Sequence, residues 1–229
     1  MRGSRVSVVV PVFNGERTLG RALDSLLAQE HPAFEIVVVD DGSTDGSAEI
    51  AASVPGVTCI RQANGGPSAA RNAGIAATGG ELVAFLDADD VAPPAKLSLQ
   101  VAHLLGHPEC GCVLGRQEIV FEGMEEPSWF ARDPVFGDLE GICFTSAMIR
   151  RSALEAVGGF DPALQTSEDR DLMIRLREAA VGIDVLDAVI LHRFVHGSNL
   201  TLKRPGSHLL GSLRAKLERE RASAAGGPE

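Results

Sequence analysis

The sequence predicts an α/β fold built on a mostly parallel sheet. In the first half of the chain, short apolar runs alternate with segments of helical period, a pattern typical of βα units around such a sheet. The first run, Val6–Val10, is a continuous β-branched stretch, as expected of a strand buried on both faces. Polar clusters follow three of the predicted strands, which indicates that one edge of the sheet carries the chemistry.

Each element of the first half follows from a local pattern. Apolar side chains recur at helical spacing over Leu19–Leu27, which predicts an amphipathic helix. Pro67 suits the first turn of a helix that runs through about Ala77, and Pro93–Pro94 open another. The remaining predicted elements are a short helix near Gly46–Ala52 and the strands Glu35–Val39, Val57–Arg61 and Leu82–Leu86.

The second half is less regular, and its elements are predicted from shorter runs. The expected elements are strand pieces at Cys112–Leu114 and Glu118–Phe121, a strand at Phe144–Ile149, helices at Ser152–Val157 and Asp169–Ala180, and a strand at Val185–Phe194. The sequence contains no internal repeat and no linker. We therefore expect a single domain over residues 1–205.

Composition argues against some classes of function. The 229 residues carry a net charge of −10, whereas a nucleic-acid binder usually presents a basic face. No segment approaches the roughly 18 apolar residues of a membrane span, and the apolar run after Met1–Arg5 is too short for a secretory signal. We therefore expect a cytoplasmic protein that binds no nucleic acid.

The four cysteines are sparse and irregularly spaced, so we expect them to be reduced and mostly buried. One group has an alternative interpretation, because His103, His107, Cys110 and Cys112 are four candidate zinc ligands. A structural zinc site usually pairs its cysteines as C-x-x-C, not C-x-C. His103 also falls in a helix whose leucines must face the core. The sequence therefore favours a core helix over a zinc site.

Three polar clusters follow predicted strands. Pro11–Glu16 follows the first strand, Asp40–Ser43 the second and Asp87–Asp90 the fourth. The carboxyl ends of parallel strands lie along one edge of a sheet, where α/β proteins bind ligands. We therefore expect the three clusters to converge on one site.

The Asp87–Ala88–Asp89 segment predicts a divalent-cation site. If the strand stays extended, Asp87 and Asp89 point the same way and Asp90 points elsewhere. Two carboxylates on one face repel each other unless a cation lies beside them, and Mg²⁺ or Mn²⁺ with water and phosphate ligands is the expected occupant. The alternative is that Asp89 or Asp90 caps the helix opened by Pro93–Pro94.

Asp40 and Asp41 precede the turn residues Gly42–Thr44. An Asx turn needs one aspartate, so the second is available for a ligand contact. A carboxylate only accepts hydrogen bonds, which suits the imide N–H of a nucleobase.

Several nucleotide-binding and hydrolytic motifs are missing. No G-x-G-x-x-G follows the first strand, and the sequence has no G-x-x-x-x-G-K-[ST], H-E-x-x-H or G-x-S-x-G. A dinucleotide oxidoreductase and a P-loop NTPase are therefore disfavoured.

The ordered motifs resemble those of family 2 glycosyltransferases of GT-A fold. They are Val8–Asn14, Val37–Asp45, Ala70–Gly74 and Phe85–Asp90, continued by Arg150–Ser152, Gly158–Asp161 and Glu168–Asp169. The resemblance covers roughly residues 5–197. It implies a Rossmann-like sheet with helices on both faces and a smaller mixed region on the acceptor side. Residues 1–90 would then bind a nucleotide sugar, and residues 91–205 would bind the acceptor.

The resemblance also implies a donor site. The residues expected to line it are Pro11, Val12, Asn14, Glu16, Asp41, Arg71 and Asp87. Within this set, Asp41 would contact the base, most often uracil, and Arg71 would approach the base or the diphosphate.

The remaining implied roles concern the metal and the acceptor. Asp89 would bind Mn²⁺ or Mg²⁺, and Asp87 would contact the ribose or a metal-bound water. Asp169 would be the general base, although an acidic residue in the first turn of a helix also has a structural explanation, and Glu168 could take that task. His196 is a further candidate near the metal, with a surface turn as the alternative.

These roles describe an inverting transfer from a nucleotide sugar, most often a UDP-sugar, to a hydroxyl acceptor. The acceptor stays open between a saccharide, a lipid-linked, a peptide and a small-molecule acceptor. One alternative is a sugar nucleotidyltransferase, although the segment Pro11–Leu19 offers only Arg17 to stabilise a triphosphate. The other alternative is a module that binds a nucleotide sugar without catalysis.

Residues 206–222 are predicted to form a C-terminal amphipathic helix. Its apolar side carries Leu209, Leu210, Leu213 and Leu217, and its basic residues lie mostly elsewhere. Such a helix over 207–222 can pack on its own domain, form a homodimer or lie peripherally on an anionic membrane, and the sequence leaves these options open. We expect residues 223–229 to be a disordered tail.

Overall fold

The computed structural model describes residues 4–125, 144–164 and 167–197. The strands within these ranges are β1 (Val6–Val12), β2 (Glu35–Asp40), β3 (Val57–Arg61), β4 (Leu82–Phe85), β5 (Cys110–Phe121), β6 (Met148–Arg150) and β7 (Gly182–Val195). The helices are α1 (Leu19–Leu27), α2 (Ser47–Ser53), α3 (Pro67–Ala76), α4 (Lys96–Gly106), α5 (Arg151–Val157) and α6 (Glu168–Glu178), with a 3₁₀ turn at Phe144–Ser146.

The described strands form one sheet in the order β3-β2-β1-β4-β6-β5-β7. Strand β1 pairs in parallel with β2 and β4, and β2 pairs in parallel with β3. Strand β6 is antiparallel to β4 and β5, whereas β5 and β7 are parallel. The predicted mostly parallel sheet is therefore confirmed. Because β1, β2 and β4 run in one direction, their carboxyl ends lie along one edge.

Helices cover both faces of this sheet, as predicted. Side chains of β1 alternate between two core clusters, with Val8 and Val10 on one face and Val9 on the other. The first face packs against apolar residues of α1 and α4, and the second against residues of α3, α5 and α6. Burial on both faces explains why β1 reads as a continuous apolar run rather than an alternating one.

The predicted boundaries in the first half agree with the structure to within two residues, except that α4 begins at Lys96 rather than at Pro93–Pro94. Strand β3 matches the prediction Val57–Arg61 at both ends, and α3 begins at Pro67 as expected. These elements were predictable because proline, glycine and apolar periodicity all mark the same positions.

Two predictions in the second half are wrong in detail. The expected strand Phe144–Ile149 begins as a 3₁₀ turn, closed by a 2.7 Å hydrogen bond from the Ala147 N–H to the Phe144 carbonyl, and only Met148–Arg150 pairs as a strand. Its residues are almost all buried, so apolarity alone could not separate turn from strand.

The two strand pieces predicted around residues 112–121 are one continuous strand, β5. Its pairing with β7 shifts register at Cys110/Cys112, Gly115/Arg116 and Arg116/Gln117. These irregularities break the two-residue alternation by which a strand is read from sequence. Gly115 lies at one of these register shifts, and a Cβ at this position would lie 2.4 Å from Ile190 Cδ1.

The predicted helix at 206–222 and the tail at 223–229 lie outside the described residues, as does Cys143. Cys59, Cys110 and Cys112 are free thiols, and the latter two are buried. Among the helices that the structure describes, none is both long enough and apolar enough to cross a membrane.

Candidate functional site

The loops after β1 and β2 are joined by hydrogen bonds into one wall. The Asn14 N–H donates to Ser43 Oγ at 2.9 Å, and Asn14 Oδ1 accepts from the Thr44 N–H at 2.8 Å. The Gly15 N–H donates to Ser47 Oγ at 2.8 Å. Asn14 has a φ of 54°, a left-handed conformation that asparagine tolerates better than most residues. Two of the three predicted clusters are therefore one structural unit, which we call the β1–β2 wall (residues 11–16 and 40–47).

Glu16 holds this wall against helix α2. The Glu16 N–H donates to Asp45 Oδ2 at 3.1 Å, and Glu16 Oε2 accepts from the Gly46 N–H at 3.2 Å, where α2 begins. Burial would raise the pKa of Asp45, but hydrogen bonds from Ser47 and the Glu16 N–H bring it below its usual value. Glu16 was predicted to line a nucleoside pocket. In the structure its carboxylate stabilises the amino end of a helix.

Asp40 forms the predicted Asx turn. Its side chain is fully buried, and Oδ1 accepts from the Ser43 N–H at 2.9 Å. Its Oδ2 lies 3.1 Å from Arg61 Nε. Gly42, which lies between Asp40 and Ser43 in the chain, has a φ of +80°. A Cβ at this position would lie 2.9 Å from the backbone nitrogen of Asn64. The turn therefore requires glycine at this position.

Asp41 anchors the loop that leads into α3. Its Oδ1 accepts from Gln62 Nε2 at 2.7 Å and from the Gly65 N–H at 2.9 Å, and its Oδ2 accepts from the Gly66 N–H at 2.8 Å. A carboxylate offers about four acceptor positions. Three are used here, so Asp41 retains one for a ligand.

The Asp87–Asp90 segment is a turn rather than an extended strand end. The Asp90 N–H donates to the Asp87 carbonyl at 3.1 Å, which turns the chain and brings one carboxylate oxygen each of Asp87, Asp89 and Asp90 within 4.8 Å of one another. The expectation that Asp90 points elsewhere is therefore wrong. The helix-cap alternative is also wrong, because α4 is preceded by Ala95 and has no side-chain cap. Instead, Asp90 Oδ1 accepts from the Phe194 N–H at 3.0 Å.

Burial and mutual repulsion disfavour ionisation in this carboxylate cluster (Asp87, Asp89 and Asp90). Burial, and then the charge of Asp87, raise the pKa of Asp89, although His196 and Arg193 act in the opposite direction. Burial, and then the charge of Asp89, raise the pKa of Asp90 well above its usual value. A cation at this position would relieve both effects.

Arg71 links the carboxylate cluster to helix α6. Its Nη2 lies 2.9 Å from Asp87 Oδ1, and its Nη1 lies 2.7 Å from Glu168 Oε1. Burial alone would lower the pKa of Arg71, but Asp87 and Glu168 raise it above its usual value. Its Nε is buried without a hydrogen-bond partner among the described residues, so Arg71 keeps one unused donor.

The acidic pair at the start of α6 divides into two environments. Glu168 is bound to Arg71, and burial raises the pKa of its carboxyl although Arg71 lowers it. Asp169 Oδ1 accepts from the N–H of its neighbour Arg170 at 2.7 Å, and no ion pair within the described ranges holds it. Asp169 lies in the first turn of α6, as predicted. Sequence reasoning missed Glu168 as the partner of Arg71, because a contact between distant segments leaves no local pattern.

His196 approaches the carboxylate cluster from the end of β7. Its Nε2 lies 3.3 Å from Asp89 Oδ2. On the other side, Arg21 Nη2 donates to the Asp89 carbonyl at 3.2 Å, and the Arg21 guanidinium lies 3.7 Å from the centroid of the Phe194 ring. The sequence singled out His196 but not Arg21, which belongs to no motif.

The clusters predicted to converge do lie along the carboxyl edge of the sheet. The β1–β2 wall adjoins the Asp87–Asp90 turn, since a Cβ on Gly15 would lie 3.6 Å from the Ala88 Cβ. Arg71, Asp87, Asp89 and His196 form one connected group, whereas Asn14, Glu16 and Asp41 belong to the wall. Pro11 and Val12, at the end of β1, pair with Val39 and Asp40.

The donor atoms of the carboxylate cluster fit a hard divalent cation. Carboxylate oxygens with room for water and phosphate are the ligands that Mg²⁺ and Mn²⁺ prefer. Burial, and then the neighbouring carboxylates, raise the pKa of Asp89 and of Asp90, and a bound divalent cation would act in the opposite direction.

Known proteins are similar to this chain in sequence and in fold. Residues 7–158 match the sequence profile of Glycosyl transferase family 2. An uncharacterized glycosyltransferase of Nostoc sp. is 49% identical over 98 residues, which are 41% of this chain and 30% of that protein. The matched segment thus spans less than a third of that relative's length.

Two solved structures share the fold. S. aureus TarS 1–349 in complex with UDP gives a TM-score of 0.69 at 27% identity, covering 83% of this chain and 60% of that one. The mannosyltransferase PcManGT from Pyrobaculum calidifontis, in complex with GDP-Man and Mn²⁺, gives a TM-score of 0.73 at 23% identity, covering 94% of this chain and 64% of that one. The second likeness shows the fold alone. The chain has the GT-A fold and belongs to Glycosyl transferase family 2, a family of glycosyltransferase enzymes.

Proposed function

We propose that this glycosyltransferase moves a sugar from a UDP-sugar to a hydroxyl acceptor with inversion at the anomeric carbon. The observation that carries the proposal is the carboxylate cluster at the carboxyl edge of the sheet, bordered by Arg71 and by the β1–β2 wall. The likeness of this chain to TarS, whose structure was solved in complex with UDP, supports the choice of nucleotide.

The carboxylate cluster would hold Mn²⁺ or Mg²⁺. In this proposal Asp89 is the direct ligand, and Asp87 contacts the ribose or a metal-bound water, since one of its oxygens is already paired with Arg71. His196 lies beside Asp89 and is a further candidate ligand. The cation would stabilise the charge that develops on the leaving diphosphate.

Arg71 would add a second positive charge on the donor side. It is 5% exposed, and Asp87 and Glu168 fix its guanidinium from two sides. Its charge would act on the diphosphate at short range, because solvent screens a buried guanidinium only weakly. Because the guanidinium is already oriented, little conformational entropy is lost when the donor binds.

The β1–β2 wall would hold the nucleoside. The remaining acceptor position of Asp41 suits the imide N–H of uracil. Asn14 and Glu16 would act mainly by fixing the wall, since their side chains bond to the Thr44 and Gly46 N–H groups. Pro11 and Val12 would border the pocket at the end of β1.

Asp169 would take the proton from the acceptor hydroxyl. Unlike Glu168, it forms no ion pair with an arginine in the described part of the chain, and its recorded contact is the N–H of Arg170, so we assign it the role of base. The acceptor oxygen then forms a bond to the anomeric carbon as the bond to the diphosphate breaks. Attack from the face opposite the leaving group inverts the configuration.

The proposal is tested by incubating the chain with a panel of nucleotide sugars and Mn²⁺ and measuring slow donor hydrolysis, which requires no acceptor. We expect UDP-sugars to be hydrolysed, and Asp89→Ala to abolish both hydrolysis and metal-dependent UDP binding. Asp187→Ala is a matched control, since the Asp187 side chain is 89% exposed on β7.

Unchanged metal-dependent UDP binding in Asp89→Ala would remove the metal assignment. Donor binding by calorimetry without any hydrolysis or transfer over hours would instead indicate a non-catalytic binding module.

A further inference from the structure

A second cluster of metal-binding residue types lies at the opposite edge of the sheet. It contains His103 in the last turn of α4, Cys110 at the start of β5 and Asp184 near the start of β7. One ligand atom from each lies within 4.8 Å of the other two. These strand starts are the amino ends of β5 and β7, so the cluster is separate from the carboxylates at the carboxyl edge.

Two of the three side chains are already in contact, since His103 Nε2 lies 2.7 Å from Asp184 Oδ2. The Cys110 thiol lies within 4.8 Å of both ligand atoms and donates to the Cys112 carbonyl at 3.1 Å. Cys110 is buried and the His103 side chain is 18% exposed, whereas the Asp184 side chain is 43% exposed. The cluster is therefore closed on the protein side and open to water on the Asp184 side.

The backbone that carries two of these residues is held firmly. Arg150 Nε donates to the Cys110 carbonyl at 2.8 Å, and Arg150 Nη2 donates to the Leu104 carbonyl at 2.5 Å. The Cys110 N–H bonds to the His107 carbonyl at 3.0 Å. The His107 ring stacks on the His103 ring with centroids 4.2 Å apart, which fixes the imidazole plane. These contacts hold His103 and Cys110 in position for ion binding.

We propose that His103, Cys110 and Asp184 form a second metal site, which binds a zinc-type transition-metal ion with water as the fourth ligand. Imidazole, thiolate and carboxylate are the ligands that Zn²⁺ takes in proteins. Tetrahedral coordination at usual bond lengths separates ligand atoms by about 3.3–3.8 Å, so small side-chain rotations bring the three atoms into place. On binding, the Cys110 thiol releases its proton to solvent.

The ligand set differs from the one that the sequence suggested. Cys112 is fully buried in the core cluster on the other face of the sheet, so it cannot join Cys110. His107 Nδ1 bonds to the His103 carbonyl at 2.9 Å, and its ring lies parallel to that of His103 rather than facing the same point. Asp184 is the third ligand instead, and it lies too far along the chain from His103 and Cys110 to form a local sequence motif with them.

A divalent cation bound between Cys110 and Asp184 would favour the thiolate form of Cys110, which is the form that binds a metal. The bound ion would tie α4, β5 and β7 together and stabilise this edge of the sheet, independently of the proposed donor site.

The test uses the full chain, stripped with a chelator and titrated with Co²⁺ as a spectroscopic substitute for Zn²⁺. We expect one equivalent to produce the near-ultraviolet thiolate-to-cobalt charge-transfer band. Zn²⁺ at a hundredfold excess over its Kd should raise the Tm by about 5–10 °C. The band should survive in Asp89→Asn, because oxygen ligands at the donor site cannot produce it.

Cys110→Ser should lose the band, and Cys59→Ser is the matched control that should keep it, since Cys59 lies on β3 away from the cluster. Absence of the band in the native chain, or its persistence in Cys110→Ser, would overturn the proposal. If Cys110→Ser does not fold, the half-exposed Asp184 provides the decisive variant. Asp184→Asn should weaken Co²⁺ binding at least tenfold, and unchanged affinity would count against the site.

Discussion

Two aspartate-rich turns follow parallel strands of the same sheet, yet their carboxylates have different surroundings. In the turn after β2, Asp40 and Asp41 accept hydrogen bonds from the backbone N–H groups of Ser43, Gly65 and Gly66. In the turn after β4, the carboxylates of Asp87, Asp89 and Asp90 face one another. The first turn is held by fixed donors and keeps one acceptor position on Asp41, whereas the second turn places three carboxylates together, where a cation would relieve their repulsion.

The difference shows that the hydrogen-bond donors around a carboxylate, rather than its sequence motif, indicate its role. A carboxylate whose acceptor positions are mostly filled by fixed donors stabilises structure, and one that faces other carboxylates or has fewer donors is available for chemistry. The same distinction separates Glu168, which is held by Arg71, from Asp169, which is not held by an ion pair in the described structure.

The largest expected effect extends this comparison to the acidic pair of α6. Asp169→Asn should lower kcat by about 10²–10⁴-fold, the usual contribution of a general base, while donor and metal binding stay unchanged. Glu168→Gln should reduce activity by tenfold or less, because the amide oxygen can still accept from Arg71. The measurements are steady-state transfer kinetics together with UDP binding by calorimetry. A greater loss of kcat in Glu168→Gln than in Asp169→Asn would reverse the two roles.

The next effect concerns stability in the turn after β2. Asp41→Ala leaves the N–H groups of Gly65 and Gly66 without their acceptor, and we expect a loss of about 2–4 kcal/mol in the free energy of unfolding. Urea denaturation measures this loss. Asp41→Asn, which keeps one acceptor oxygen, is the matched control and should lose less. A change below about 1 kcal/mol in Asp41→Ala would show that Asp41 is not structural.

Much of the fold was predictable because its first half is built from local signals. The run Val6–Val10, the helical spacing over Leu19–Leu27 and the proline at position 67 each mark an element without help from tertiary contacts. The second half depends on long-range pairing instead. Strand β5 carries register shifts against β7, which erase the alternation that would reveal it.

The candidate site was predictable to the level of motifs but not of partners. The convergence of Pro11–Glu16, Asp40–Ser43 and Asp87–Asp90 follows from parallel strands ending at one edge. The placement of Asp90 was wrong because the chain turns at Asp87 rather than staying extended. The contact between Arg71 and Glu168 joins residues far apart in sequence, and only folding brings them together.

A smaller effect of opposite sign is expected in the turn after β4. Asp90→Asn keeps the side-chain size and can still accept from the Phe194 N–H, but it removes a carboxyl whose ionisation is opposed by burial and by Asp89 and Asp87. We expect the metal-free protein to gain about 1–2 kcal/mol in the free energy of unfolding near neutral pH. Its stabilisation by Mg²⁺ should decrease at the same time. A loss of stability in Asp90→Asn would mean that the carboxylates do not repel one another, and the contrast between the two turns would fail.

The smallest effect is a pH dependence of the stabilisation by Mg²⁺, an ion that prefers oxygen ligands. Burial, then neighbouring charges, raise the pKa of Asp89 and of Asp90 above the 3.8 of an ordinary aspartate. For such groups, the stability contributed by protonation is fully present below the unfolded-state pKa and is lost as the pH rises through the raised folded-state value. Mg²⁺ needs the ionised form, so its stabilising effect should grow over that same range.

The increment in Tm on adding Mg²⁺, measured at each pH, isolates this effect from the rest of the protein. Glu35 has the opposite linkage, because hydrogen bonds from Ser7 and from the Gly79 and Gly80 N–H groups outweigh burial and lower its pKa. Its contribution to stability is the same with and without Mg²⁺, so it cancels in the difference in Tm. The expected change is at most about 1.4 kcal/mol per pH unit for each proton displaced. A Mg²⁺ increment that is flat from pH 4 to 8 would show that ionisation of the carboxylate cluster is not linked to metal binding.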